Sequence, residues 1–452
     1  MSSRPTTTSP STSSRAWLIW LTAAFVYVLA VFHRTSLGVA GLDAAERFGV
    51  GSAALSAFTV LQIGVYAAMQ VPTGLLVDRF GPRRVLLGAL FFLGLGQVLL
   101  AVAHTYAVAL VARGVLGLGD ALTFVSVLRL AANHFPGRQY MLVTALTGAL
   151  GFVGNLAATL PLTLLLAGPG WTPTFLVAGL VTLAFTVVVT LQVRDTPTAR
   201  TAAAPTASVS EVFAQLRVAL RVPGTRLGFW THFSAPFAQN VMVLLWGVPF
   251  LVDGQGYSAT TASSLLMVFV IGAMVSGPIL GGFVGRRPEL RIPLVLTYLA
   301  ATGVTWVVLL SWPGRLPVAV LIPAFAVLSL GGPFSTIGFA LARDYNPLPR
   351  VGTATGIVNV GGFVATTVVS LLIGVLLEAT GGNYRLALST MVVVLVFGAW
   401  RISVWWLRTR AAVFAAEERG ESVPVQLRRH SWDSADSADS AAVASGRVST
   451  SA

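Results

Sequence analysis

The chain has 452 residues, 55% of them hydrophobic and only 10% charged, and its mean hydropathy is +0.80. Soluble domains carry about a quarter charged residues, so a water-soluble enzyme is excluded. The absence of cysteine excludes disulfides, thiolate metal sites and cysteine nucleophiles, and leaves a net charge of +13 to be placed.

Residues 1–15 are rich in Ser, Thr and Pro and read as a disordered tail. A membrane span needs about 20 mainly apolar residues. Twelve segments meet that need: 16–38, 52–77, 84–103, 106–132, 139–167, 171–193, 226–252, 259–284, 290–312, 316–342, 351–378 and 386–407. The fold class expected is therefore an all-α polytopic membrane protein. A first six-helix bundle covers 16–193 and a second covers 226–408, joined by a central loop at 194–225. Within that loop, apolar residues from Val209 to Leu220 recur at helical spacing beside Arg217 and Arg221, as in a helix lying on a membrane surface. The stretch 409–452, with its Ser-Ala-Asp repeats, reads as a second disordered tail.

All 29 basic residues are arginine. With the N-terminus in the cytoplasm, twenty-two fall in the tails and inner loops, and only Arg47, Arg315 and Arg385 fall outside. This is the positive-inside pattern. It places both termini in the cytoplasm and accounts for the charge as topology and attraction to anionic lipid headgroups rather than to nucleic acid.

The two bundles repeat one another. Gly74-x-x-x-Asp78-Arg79-x-Gly81-x-Arg83-Arg84 follows span two, and Gly281-x-x-x-Gly285-Arg286-Arg287 follows span eight, an offset of 207. Thr147-Gly148 in span five matches Thr355-Gly356 in span eleven at an offset of 208. Parallel repeats of this kind belong to transporters with the substrate site between the halves.

The first of these loops resembles the signature loop of the major facilitator superfamily, and Arg113-x-x-x-Gly117-x-Gly119 resembles its second motif. The resemblance covers about 16–408. It implies a cytoplasmic gate built from Gly74, Asp78, Arg79, Gly81, Arg83 and Arg84. Asp78 would sit against the start of span eleven near Val351, and the arginines would latch neighbouring carboxylates and carbonyls. Gly285 replaces the acid in the second copy, so that latch is expected to be weaker. Phe32-His33-Arg34-Thr35-Ser36 and Gln70-Val71-Pro72-x-Gly74 are similar to bacterial relatives of the lysosomal dipeptide transporter. Gly154-Asn155-Leu156 and Asn359-Val360-Gly361-Gly362 partly resemble the nitrate/nitrite porter signatures, but spans two and eight lack the arginines of that branch. The Gly-Pro-x-x-Gly-Gly string of drug/proton antiporters is missing from span five, and its copy at Gly277–Gly282 belongs to the loop repeat.

Ionisable groups at membrane depth are costly and are read first as functional. Asp120 is the acid that lies well inside a span. Arg113, Gly117, Asp120 and Phe124 share one face of span four, which is expected to line the cavity. Arg113 is the expected partner of a substrate carboxylate through two parallel hydrogen bonds. Asp120 is either a proton-coupling site or the counter-charge of a substrate amine. A permanent structural pair of Asp120 with Arg113 or Arg34 is the opposing reading. Arg34 lies on span one with Tyr27 one heptad earlier, and His33 points about 100° away from it. Gln62, Tyr66 and Gln70 form a polar stripe on span two. Gln239 and Trp246 share a face of span seven with His232, and Asn359 sits in span eleven. For these side chains, hydrogen bonding between helices and substrate contact are both open.

The reading is a secondary transporter of the inner membrane, working by alternating access as a monomer on a small anionic or zwitterionic solute, a dipeptide or organic acid. Protons are the candidate coupling ion, which would make it a symporter. Nitrate porter and drug antiporter are the alternatives within the superfamily. A non-transporting receptor with the same fold is the alternative of another class. No cofactor or metal is expected, because the five histidines are scattered and no P-loop lysine exists.

Overall fold

The computed structural model describes residues 14–50, 52–158, 160–195 and 209–429, and no β-strand occurs among them. The expectations for 1–13, for 196–208 and for 430–452 lie outside the described residues. The chain opens with α1 (Ser14–Val39), α2 (Gly41–Phe48), α3 (Ser52–Phe80) and α4 (Pro82–Val102). There follow α5 (Tyr106–Ala121), α6 (Thr123–His134), α7 (Gly137–Ala157), α8 (Leu160–Ala167) and α9 (Trp171–Gln192). Helix α10 (Val209–Arg221) lies where the sequence marks a surface helix, with Arg217 and Arg221 exposed. After it come α11 (Pro223–Ser234), α12 (Phe237–Val241), α13 (Gly247–Pro249), α14 (Ala259–Arg286) and α15 (Arg291–Ser311). The last elements are α16 (Val318–Leu328), α17 (Gly331–Asp344), α18 (Val351–Ala379), α19 (Tyr384–Leu388) and α20 (Thr390–Glu418).

Among the described residues ten helices are long and apolar enough to cross a membrane, and eleven when the bent pair Pro223–Leu244 and Gly247–Gly254 counts as one. Helix α3, 29 residues long, occupies the remaining position of the twelve. The molecule is thus an all-helical, multi-pass membrane protein.

Several spans are not single helices. Span four breaks at Leu122, whose N–H closes back on the carbonyls of Gly119 and Asp120. Span seven contains π-helical turns at Met242–Trp246 and Phe250–Gly254, on either side of α13 with its Pro249. Such wide turns expose backbone groups and often accompany function. Two features depart from the sequence reading. Helix α2 is an extra element between the first two spans. Helix α20 runs on to Glu418, so the start of the stretch read as disordered from 409 is helical. Its continuation is held from the side: Thr409 and Arg410 are buried, and Arg410 donates to the Arg428 carbonyl at 2.7 Å.

The contacts divide the chain into two compact units. Of the described residues, one contains those within 14–69, 76–136 and 150–195; the other contains those within 70–75, 137–149 and 209–429. The boundary differs from a cut at the central loop because two short stretches pack with the later helices. A Cβ at Gly74 would lie 2.8 Å from the Thr353 Cα, at the start of α18. A Cβ at Gly281 would lie 2.8 Å from the Ala145 Cβ and 2.9 Å from the Met141 carbonyl, on α7. The repeated glycines therefore make the same kind of contact: the end of one helix meets the first turns of its repeat's packing partner, at a separation only glycine allows. Gly285 fits this pattern, since a side chain there would strike the Arg138 carbonyl. The missing acid of the second motif copy is thus a close-packing position.

In the first unit Phe58, Leu93, Leu116 and Phe175 are fully buried in the core. In the second, Trp306, Phe269, Phe325 and Phe237 are fully buried. Leu191, Leu156, Ile279 and Val393 instead point outward and are more than 60% exposed. Apolar exposure on this scale is what a helix facing lipid requires.

Candidate functional site

The site forms where α1 meets the break between α5 and α6. The run Gly117-Leu118-Gly119-Asp120 ends α5, and the Thr123 hydroxyl donates to the Asp120 carbonyl at 2.7 Å as α6 begins. Gly119 makes this position possible, because a Cβ there would lie 2.6 Å from the Leu93 backbone nitrogen. The Asp120 carboxylate is fully buried and accepts two hydrogen bonds from Arg34: Nε to Oδ2 at 2.7 Å and Nη2 to Oδ1 at 2.6 Å. This is the fork-to-fork arrangement that only arginine supplies. The Arg34 side chain keeps 27% of its surface accessible, whereas Asp120 keeps none.

Arg113 stands two turns before Asp120 on α5 and is 1% exposed. Its terminal nitrogens donate to the backbone carbonyls of His33 at 3.1 Å and Arg34 at 3.2 Å, and its Nε is buried without a hydrogen-bond partner. It acts electrostatically on Asp120 but does not form the ion pair. Two guanidiniums and one carboxylate thus stand together, one guanidinium paired and the other on backbone carbonyls, leaving one positive charge in excess.

Aromatic side chains frame the pair. The Arg34 guanidinium lies over the Tyr66 ring at 4.8 Å, and the Tyr27 ring sits 5.1 Å from that of Phe124. Both tyrosines fall within the electrostatic reach of Arg34. One turn before Tyr66 on α3, Gln62 is 1% exposed, and neither of its amide atoms has a hydrogen-bond partner. His33 points elsewhere, as its neighbour's 100° rotation requires, and Nε2 meets the Thr182 hydroxyl of α9 at 2.8 Å. The structure therefore brings together Tyr27, Arg34, Gln62, Tyr66, Arg113 and Asp120, all in the first unit.

The expected residues of the second unit engage neighbouring helices. Gln239 Oε1 accepts from the Gly332 N–H at 2.8 Å, and Trp246 Nε1 donates to the Ser370 carbonyl at 3.0 Å. Asn359 Nδ2 donates to Gln70 Oε1 at 2.5 Å, and His232 Nδ1 meets the Ser335 carbonyl at 3.3 Å. These contacts tie α12, α17, α18 and the end of α3 into one packed body.

Around the signature loop, Asp78 pairs with Arg129 of α6 at 3.3 Å, with the Asp78 side chain 3% exposed. Arg79 lies over the Phe80 ring and is exposed, as is Arg84. The Arg83 N–H donates to Asp195 Oδ1 at 2.7 Å, and its guanidinium reaches the Thr190 carbonyl at 2.5 Å. Gly81 has φ +82°, and a Cβ there would lie 2.5 Å from Asp195 Oδ2, so only glycine lets the acid cap α4. Asn133 in turn donates to the Asp195 carbonyl at 2.7 Å. Sequence reasoning did not identify Asp195 or Asn133. The usable signal was an acid just beyond span six, close to a helix start that lacks a capping side chain of its own. Among the described residues no three His, Asp or Glu side chains gather as a metal site would need.

The profile of the Major Facilitator Superfamily matches residues 23–337. The chain is 25% identical over 375 residues to the probable sulfoacetate transporter SauU of Cupriavidus necator, covering 79% of this chain and 86% of that one. It is 25% identical over 406 residues to the probable galactarate/D-glucarate transporter GarP of Escherichia coli, covering 80% and 88%. The crystal structure of a Major Facilitator Superfamily transporter, FucP, in the outward conformation is similar with a TM-score of 0.68. Identity there is 14%, and 86% of this chain and 99% of that one are covered, which is a likeness of fold.

Proposed function

Because the chain belongs to the Major Facilitator Superfamily, a family of secondary membrane transporters, we propose that it carries a small organic anion by alternating access. The observation that carries this reading is the charge count at the site. Arg34 and Arg113 face a single carboxylate, Asp120, in surroundings where an uncompensated charge is expensive. A substrate carboxylate or sulfonate supplies the missing negative charge. Arg34 is the group that receives it, since its guanidinium is partly accessible. Arg113 is a positioning residue: by holding the carbonyls of His33 and Arg34 it fixes the backbone from which Arg34 projects. Tyr66 and Tyr27 line the same place, and Gln62 offers unpaired amide atoms to substrate oxygens.

Relatives named for sulfoacetate and for galactarate or D-glucarate support an organic acid. The same charge count bears on coupling. A monoanion neutralises the site while Asp120 stays ionised. A dianion leaves one negative charge in excess, and a proton on Asp120 restores balance. Proton symport of a dianion through Asp120 follows, with Arg34 released from its carboxylate when substrate takes over the guanidinium. A dipeptide, which the motif likeness around Arg34 would suggest, brings an ammonium of its own and leaves the positive excess in place.

The tails and most loop arginines are assigned to the cytoplasm on the positive-inside pattern. Uptake into proteoliposomes tests the proposal. Sulfoacetate or glucarate should accumulate under an inward-directed proton gradient and exchange in counterflow. Uptake of neutral dipeptides with no uptake of any organic acid would overturn it.

A further inference from the structure

A second feature lies apart from this site. A cavity of about 410 Å³ opens beneath α10, closed by α11, α18 and α20. Its walls are almost wholly apolar, with Leu216, Leu220, Phe229, Ile357 and Val360 among them. Two arginines, Arg226 and Arg401, are among the lining residues, and the lining contains no carboxylate.

The two arginines are held over aromatic rings. Arg401 lies over Trp230 at 4.9 Å and Trp400 at 5.3 Å, and Arg226 lies over Trp405 at 4.6 Å. A guanidinium held by a ring through a cation–π contact still has N–H donors to give to an anion. Nε of Arg226 is taken by the Leu220 carbonyl, while Nε of Arg401 is buried with no hydrogen-bond partner. Arg401 also belongs to a span, where an unpaired cation is costly. Above the cavity, the exposed Arg217 and Arg221 of α10 extend the positive field, while Leu216 is half-buried against the cavity and Leu220 lies at its rim, 40% exposed.

We propose that this cavity is a binding site for one anionic phospholipid of the cytoplasmic leaflet. The phosphate lies against Arg401 and Arg226, and an acyl chain runs along Phe229, Ile357 and Val360. The pairing of two cations with an apolar channel selects this occupant: a free phosphate has no use for the channel, and a neutral lipid has no use for the arginines. Helix α10 belongs to the central loop, so the lipid would fasten that part of the loop to α11, α18 and α20. Nothing in the proposal depends on which solute is carried.

The test uses the full-length protein purified in detergent, titrated with phosphatidylglycerol or phosphatidylcholine of identical chains and followed by native mass spectrometry. Phosphatidylglycerol should bind about tenfold or more tightly than phosphatidylcholine. The double variant Arg226→Gln/Arg401→Gln should lose that preference, and Arg419→Gln, at an exposed arginine paired with Glu421 and outside the cavity lining, should keep it. Val360→Trp, which fills the channel and leaves both arginines, should weaken binding to the same extent, and serves if the double variant does not fold. Equal binding of the two lipids would overturn the proposal, as would displacement of phosphatidylglycerol by equimolar inorganic phosphate. Binding that emerges only after removal of residues 430–452 would assign the cavity to that acidic segment instead.

Discussion

Asp120 accepts from Arg34 through both carboxylate oxygens, at 2.7 and 2.6 Å, although the two residues stand 86 positions apart. The pair joins α1 to the break between α5 and α6, so its rupture frees a buried carboxylate and a guanidinium together. A contact with these properties can report occupancy: whatever competes for Arg34 releases Asp120.

Asp120→Asn keeps the shape of the side chain and removes its charge. Proton-driven accumulation is expected to collapse toward the equilibrium ratio, while counterflow persists. The check is uptake into proteoliposomes with and without a pH gradient; pH-dependence like that of the parent protein would remove Asp120 from the coupling step.

Arg34 and Arg113 should respond differently to lysine. Arg34→Lys loses the planar fork and is expected to weaken substrate binding by about 10- to 100-fold, or roughly 1.4–2.8 kcal/mol. Arg113→Lys keeps the charge but lacks the fork that spans the His33 and Arg34 carbonyls, so its main expected effect is on stability, about 1–3 kcal/mol. Titration calorimetry and thermal unfolding on both variants separate the two roles. An Arg113→Lys protein of full stability without binding would reverse the assignment.

A double-mutant cycle measures the pair itself. Removing one partner of a buried pair costs about 3–5 kcal/mol, and the 27% exposure of Arg34 places this one below that range. Arg34→Gln/Asp120→Asn should therefore be more stable than the sum of the single variants requires. Unfolding in denaturant gives the coupling, and strict additivity would mean that the pair stores nothing.

Gly74→Ala is expected to disable transport while Gly88→Ala does not. A Cβ at Gly74 meets the Thr353 Cα at 2.8 Å, whereas at Gly88 the nearest atom is a Leu122 methyl at 4.0 Å. Initial uptake rates at equal expression check this, and equal rates would show that the close approach is dispensable.

The part of the fold that follows from periodic apolarity was legible: segment positions, the repeat, and the face of span four that holds Arg113 and Asp120. Which arginine meets Asp120 was not, because spacing within one helix says nothing of the helix beside it. Arg113 lies on the same face as Asp120, yet it spends its donors on the α1 backbone, and Arg34 arrives from α1 to make the pair. The break at Leu122 has no proline to announce it; the nearby Gly119 packs closely against Leu93. Likewise, Gln239 and Asn359 look like ligand contacts in the sequence because an amide in a span needs a partner. The structure supplies those partners from a neighbouring backbone and from Gln70.

The most direct test of the excess positive charge at Arg34, Arg113 and Asp120 is a thermal-shift comparison of glucarate, its neutral diamide and a neutral dipeptide, on the parent protein and on Arg34→Gln. A ligand of the native state raises its unfolding temperature. The expected result is a shift with glucarate alone, lost in Arg34→Gln. An equal shift with the diamide or the dipeptide, or a glucarate shift that survives Arg34→Gln, would contradict the account.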